Sequence, residues 1–356
     1  MKKIITLIAV CLMYNGLHAQ FQVIQGTIYD AQTKETLPGV AIYLNGTSII
    51  TTSDKDGNFR LPIEQFINTN LVFSHLSYES LIFEPPFDKL PKSFFLKEKV
   101  NTLQAAVVVA DRISREEKMN IFREHFLGNT QAGRSCVILN EEDIRLHYDE
   151  KADKFTAYTL NPIFIENNYL GYLITYDLHE FAVQYVETLP DVIKPAHVTC
   201  IGVSSFLDIN PHDLRMITRR NEIYIRSPAY FWKNLVANRL KEEKFRLYNQ
   251  GKQIESNQYF TVEHLSSKNN VYINSRTLIN RSYYGVKGPL FGVIRVVNNN
   301  KFSSEIVFLT NRFSIDEFGN IDAMDKVIFY GDMGDQRIGD MLPIDFKYFP
   351  TSRNTR

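Results

Sequence analysis

Cysteine is scarce in this chain of 356 residues, with three copies at positions 11, 136 and 200. That number and spacing make neither a disulfide framework nor a thiolate metal site. Tryptophan is scarcer, with the single Trp232. A charge surplus of either sign is missing too, because 40 basic residues cancel 40 acidic ones. The charges are scattered, so there is no basic stripe to displace counterions from phosphates and no basic helix for a membrane surface. No His-Glu-x-x-His, phosphate-cradling glycine loop or dinucleotide fingerprint occurs. Beyond the first twenty residues no apolar run is long enough for a transmembrane helix. Together these absences exclude nucleic acid as the expected partner and remove the usual signatures of nucleotide chemistry.

The apolar share of 44% and charged share of 22% describe an ordinary folded protein. The length allows two or three domains, each with its own core. At the start, Met1-Lys2-Lys3 precedes an apolar run from Ile4 to Tyr14 that is too short to span a bilayer. Ala19 then offers the small residue that a signal peptidase needs, so residues 1–19 are expected to be a cleaved signal peptide. Lipidation at Cys11 is disfavoured by the bulky Val10 before it and by the short leader. Cleavage would leave 38 basic against 40 acidic residues and only Cys136 and Cys200. Export permits a disulfide between them; two buried free thiols are the simpler reading, and spacing leaves the pairing open.

From Phe21 to Leu96 the pattern is one of short strands separated by turn residues, as in a β-sandwich. Gln22–Asp30 alternates, Asn45-Gly46 suits a hairpin turn, and Asp54-Lys55-Asp56-Gly57-Asn58 suits another. These residues resemble the carboxypeptidase-regulatory-like domain, a prealbumin-type β-sandwich. The likeness lies in Gly26-x-Ile28-x-Asp30 and Leu37-Pro38-Gly39-Val40-x-Ile42-x-Leu44-x-Gly46-Thr47. It continues in Thr52-x-Asp54-x-Asp56-Gly57-x-Phe59-x-Leu61 and Phe73-Ser74-His75-Leu76-Ser77-Tyr78, where the family more often has Gly in place of Ser77. The resemblance implies a passive attachment without catalytic residues of its own. Leu103–Ala110 looks like the closing strand that often follows.

Later segments are similar to secreted bacterial proteins that carry the same N-terminal domain and have no assigned activity. They are Phe126-Leu127-Gly128, Cys136–Asn140, Pro162-x-x-Ile165-x-Asn167, Leu170-Gly171-Tyr172-x-Ile174-x-Tyr176-x-Leu178 and Asp340-Met341-Leu342-Pro343. The leader implies export by the general secretory route, and the likeness of the closing strand to that of outer-membrane TonB-dependent receptors implies a periplasmic or outer-membrane-associated protein of a Gram-negative bacterium.

The remainder reads as mostly β with two helices. Ser114-Arg115-Glu116-Glu117 is a capping box ahead of Met119, Phe122 and Phe126 at helical spacing. Ser227-Pro228 opens a second helix, with Phe231, Trp232, Leu235 and Leu240 on one face. Strands are expected at 143–148, 154–158, 171–186, 198–209, 245–248, 259–262, 289–297, 305–309 and 326–330.

Two constellations invite a metal. His147-Tyr148-Asp149-Glu150 with His264 has the spacing of zinc carboxypeptidase ligands. Against it, His147 falls in an expected strand, Glu150 falls in a turn, and the family's substrate-holding residues are unrecognisable. Asp332, Asp335 and Asp340 form an acidic loop able to gather round a cation, although solvated turn residues are the default reading. Asp54–Asn58 lacks the Glu of a calcium loop, because position 65 is Gln. Gly202-Val203-Ser204-Ser205-Phe206 starts like a nucleophile elbow and ends on a residue too large for one. Aromatic residues at 13% raise the prospect of a glycan platform, yet most lie in expected strands.

The expected architecture is therefore mainly β: a signal peptide at 1–19, a prealbumin-like sandwich at 20–112, and a β-rich region with two helices at 113–356. The expected role is a non-catalytic structural or binding module of the cell envelope, without a cofactor, that recognises a protein or glycan. A zinc metallocarboxypeptidase-like hydrolase is the alternative.

Overall fold

The computed structural model describes residues 22–64, 67–99, 113–189, 192–265, 268–274, 289–323 and 325–349. The expected signal peptide, the strand at 103–110 and the polar C-terminus at 351–356 lie outside the described residues. The fold is mainly β, and contacts divide the chain into two compact units. The first comprises residues 1–109 with 175–177 and 203–207; the second comprises the rest.

In the first unit seven strands make two sheets. β4 (Asn58–Ile63), β1 (Gln22–Asp30) and β7 (Ser93–Leu96) form one; β3 (Ile50–Thr52), β2 (Ala41–Leu44), β5 (Leu71–His75) and β6 (Tyr78–Phe83) form the other. β4 shows why they stack: Phe59, Leu61 and Ile63 are buried while Asn58, Arg60 and Pro62 face water. A strand's period of two puts one set inside and the other out. Between the sheets Phe73 stacks on Phe94 at 4.5 Å, and Phe59 meets both edge-on at 5.4 Å. Each fully buried ring of this kind contributes about 1.5–3 kcal/mol. The outer face of the four-stranded sheet is also covered, because Tyr43 and Val72 pack with Val203. That late segment joins the β2–β3 turn in parallel, with Ser205 opposite Thr47. Gly46 N donates to Ser204 O at 2.7 Å, Phe206 N to Thr47 O at 3.0 Å, and Ser204 N to the Asn45 side chain at 2.8 Å.

The second unit begins with α1 (Arg115–Phe126), capped as expected by Ser114 and Glu117. Its Phe122 and Phe126 pack on Phe181. Phe181 lies on β12 (Tyr172–Leu189), within a six-stranded sheet ordered β8 (Cys136–Ile138), β11 (Ile163–Asn167), β12, β10 (Lys154–Tyr158), β9 (Arg145–Asp149). β13 (Val192–Asp208) pairs with β12 as the sixth strand. A single-turn helix, α2 (Gln131–Arg134), precedes β8. Two helices follow β13: α3 (Leu214–Tyr224) and α4 (Pro228–Val236), the latter capped by Ser227.

Then come β14 (Phe245–Asn249), β15 (Lys252–Ile254), single-turn α5 (Ser256–Tyr259), β16 (Phe260–His264), β17 (Asn269–Ile273), β18 (Gly292–Asn298), β19 (Phe302–Phe308), β20 (Arg312–Ile315) and β21 (Val327–Gly331). They form a five-stranded sheet, β15-β14-β18-β19-β21, and a three-stranded sheet, β16-β17-β20. Trp232 of α4 packs among Phe260, Phe308, Phe313 and Phe329, which belong to both sheets. The lone Trp is therefore core and no carbohydrate platform.

The expectation of two helices undercounts by α3 and the single turns α2 and α5. α3 was hidden because its buried face carries Arg220 and Asn221 alongside Ile223 and Tyr224, so no apolar stripe marks it. Arg220, 4% exposed, donates to Asp208 through both terminal nitrogens at 2.7 and 2.8 Å. It also donates to Leu170 O at 2.7 Å and Gly171 O at 3.1 Å, and lies 4.0 Å above the Tyr172 ring. Gly171, at φ +71°, allows this close approach, since a Cβ there would run into Met216 Sδ.

No helix among the described residues is long and apolar enough to cross a membrane.

Candidate functional site

The three residues of the zinc reading stand apart. His147 is exposed on β9 opposite Thr156, and Glu150 is exposed in the following turn. His264 ends β16 in a different sheet, where its Nδ1 lies 2.8 Å from Asn269 Oδ1. Strand pairing thus fixes the two histidines in separate ladders. Among the described residues no group of three or more His, Cys, Asp or Glu is placed to hold a metal ion.

The acidic loop is likewise divided. Asp332 accepts from Arg226 Nη2 at 3.0 Å and from Ser303 N at 2.8 Å. Asp335 is exposed. Asp340 is buried, and its Oδ1 accepts from Thr130 Oγ1 at 2.8 Å while its Oδ2 has no hydrogen-bond partner. Burial raises the Asp340 carboxyl above the usual carboxylate range. It sits where segments far apart in sequence meet. Gly339 N donates to Leu127 O at 3.0 Å, and Asn167 Nδ2 donates to Gly339 O at 2.9 Å. Gly339 and Gly133 approach so closely that a Cβ on the first would strike the Cα of the second. Asn167 Oδ1 also accepts from Leu170 N at 2.9 Å. Leu127, Asn167 and Gly339 thus tie α1, β11 and the C-terminal loop together.

Neither cysteine is in a disulfide. Burial pushes the Cys136 thiol up to about 12, with nearby Asp340 adding to the effect, and its Sγ lies 3.3 Å from Ala132 O. Such a thiol is no nucleophile. Ser204 and Ser205 are buried within the strand β13, not on an elbow.

What the second unit does present is a set of exposed apolar side chains beside a hydrogen-bonded knot of loops. Asp143 Oδ2 accepts from Asn140 Nδ2 at 3.0 Å and Asn161 Nδ2 at 3.1 Å, and these bonds hold its carboxyl below the usual range. Asn140 also bonds Pro162 O and Phe164 N, each at 3.0 Å. Leu139 N donates to Phe164 O at 2.8 Å. This knot fastens the loop after β8 to the loop before β11. Leu139 and Leu160 on the loops so joined, Val137 on β8 and Tyr158 at the end of β10 are each about half exposed. Nothing in the sequence pattern marked them, because β8 is only three residues long and Leu160 lies in a turn.

The motifs of the first unit are also turn chemistry. Asp30 Oδ1 accepts from Gln32 N and Thr33 N, and Oδ2 from Tyr78 Oη at 2.8 Å. These bonds, the Thr33 amide foremost, hold the Asp30 carboxyl low. Asp54 Oδ1 accepts from Asp56 N at 2.9 Å and Asn58 N at 2.8 Å, which closes the hairpin and explains the calcium-like spelling. Residues 24–109 match the CarboxypepD_reg-like domain. The sandwich is thus a regulatory-type module, and it covers about a quarter of the chain. No curated protein matches the chain. All six metal candidates, and the surface around Asp143, lie outside the CarboxypepD_reg-like module.

Proposed function

We propose that the chain is an exported, non-catalytic binding module of the cell envelope that recognises a protein partner through the surface around Asp143. The observation that carries this reading is the exposure of Leu139 and Leu160 on the loops tied by Asn140, Asp143 and Asn161, with Val137 on β8 and Tyr158 at the end of β10 exposed as well. Groups of exposed apolar side chains are characteristic of interaction sites. Three of the four are aliphatic, whereas sugar platforms are built from flat aromatic rings, so a protein is favoured over a glycan. The match to a non-catalytic regulatory-type sandwich at residues 24–109 supports an accessory role. The apolar, Lys-led first nineteen residues support export.

The test is site-specific photo-crosslinking in intact cells, with the reactive group at position 139 or, as a control, at exposed Lys252. One discrete protein adduct from position 139 only, abolished by Leu160→Glu, is expected. Equal patterns from both positions would overturn the reading. Adducts to polysaccharide would replace the protein partner by a glycan.

A further inference from the structure

We propose that α3 and α4 form a groove for an extended peptide, and that the chain's own residues 344–349 are its resident ligand. The site is distinct from the surface around Asp143. Its central element is Asn221, which is buried on α3. The Asn221 Nδ2 donates to Phe349 O at 2.5 Å, and Oδ1 accepts from Phe349 N at 3.3 Å. One side-chain amide thereby serves both backbone groups of one residue. Such a grip holds peptide backbone whatever the side chain, leaving selectivity to neighbouring pockets.

The pockets are aromatic. Tyr348 stacks on Tyr224 at 5.8 Å and tilts against Tyr230 at 5.8 Å, while Phe346 meets Tyr224 at 5.4 Å. Tyr230 is held in place by donating to Glu243 at 2.6 Å. Residues 346–349 belong to no strand or helix, and the rings of Tyr348 and Phe349 are 40% and 57% exposed. The segment is held by the Asn221 amide and by Phe346 and Tyr348 on the two helix tyrosines, with no strand or helix of its own, and such an element opens locally. Leu214 lies two helical turns before Asn221 and is 76% exposed, so an apolar residue extends the same face of α3. The partner that fits is an extended protein segment with aromatic residues spaced like Phe346, Tyr348 and Phe349. The resident segment, tethered at high effective concentration, keeps the groove closed until it is outcompeted.

The test titrates a fluorescent peptide with the sequence of residues 344–349 against the full chain by anisotropy. Tyr348→Ala, which loosens the resident segment, should bind the peptide at least ten-fold tighter than wild type. Adding Asn221→Ala should return affinity to the wild-type level, and a peptide with alanine in place of its aromatics should not bind. Trp232 fluorescence melts confirm that each variant is folded. Should Tyr348→Ala not fold, Phe346→Ala replaces it, since it removes the segment's other ring contact with Tyr224. A folded, loosened variant that binds no better than wild type overturns the proposal. So does binding that is indifferent to Asn221→Ala.

Discussion

Replacing Arg220 by alanine should destabilise the second unit by about 3–5 kcal/mol, the range for breaking a buried, hydrogen-bonded ion pair. Four hydrogen bonds and a ring contact are lost together. Gly171 O keeps the bond from Ile209 N and Asp208 Oδ1 that from Asn210 N, whereas Leu170 O and Asp208 Oδ2 lose the bonds that Arg220 gives them, the former at about 1–3 kcal/mol. Asp208 is 28% exposed, and water relieves part of its uncompensated charge, which places the expected cost in the lower half of the range. Arg220→Lys retains the charge but loses the two-pronged geometry and the flat stacking on Tyr172, and should cost about 2 kcal/mol. Trp232 lies in the core of the same unit and provides the readout. Urea unfolding followed by its fluorescence gives the free energies, and Asp208→Asn completes a double-mutant cycle. An alanine variant within about 1 kcal/mol of wild type would refute the view that Arg220 organises this region.

Three further outcomes are expected. Asp340 has a carboxyl raised by burial, so the folded state binds its proton more tightly than the unfolded chain. Its contribution is present below the ordinary carboxylate value and is lost as pH rises through the folded one. Asp340→Asn should therefore flatten the stability–pH profile from about pH 4 upward; an unchanged slope would show that Asp340 does not titrate there. Cys136, with its thiol raised to about 12, should resist alkylation in the native protein and react once urea is added; peptide mapping distinguishes the two, and rapid native labelling would refute the burial argument. Elemental mass spectrometry of the purified protein should find no stoichiometric zinc, and His264→Ala should change nothing. One zinc per chain, lost with His264, would restore the hydrolase alternative.

The sandwich was legible because β4 alternates cleanly and the turns are spelled by Asp, Asn and Gly at positions whose backbone demands them. α1 and α4 were legible through Ser114, Glu117, Ser227 and Pro228, whose side chains do what caps do. α3 was not, because tertiary partners far away in sequence (Asp208, Leu170 and Phe349) satisfy the polar residues that it buries. β8 and β11 were noticed only as motifs of related sequences, and three- to five-residue strands carry too few alternations to declare themselves. The metal candidates stand apart for the same reason in reverse. Spacing along the chain placed His147, Glu150 and His264 at a familiar interval, and the pairing of separate ladders decided where they stand.

The β12–β13 hairpin has a bearing on how the protein is made. The first unit takes residues 203–207 to finish its β2–β3 edge and to cover Tyr43 and Val72. As the chain is made, the seven strands described in the N-terminal sandwich are all present by residue 96. The sandwich will still show a bare apolar sheet face until about a hundred more residues have been added. Over that interval Tyr43 and Val72 lack the Val203 that covers them. A fragment ended at residue 112 remains in that unfinished state permanently.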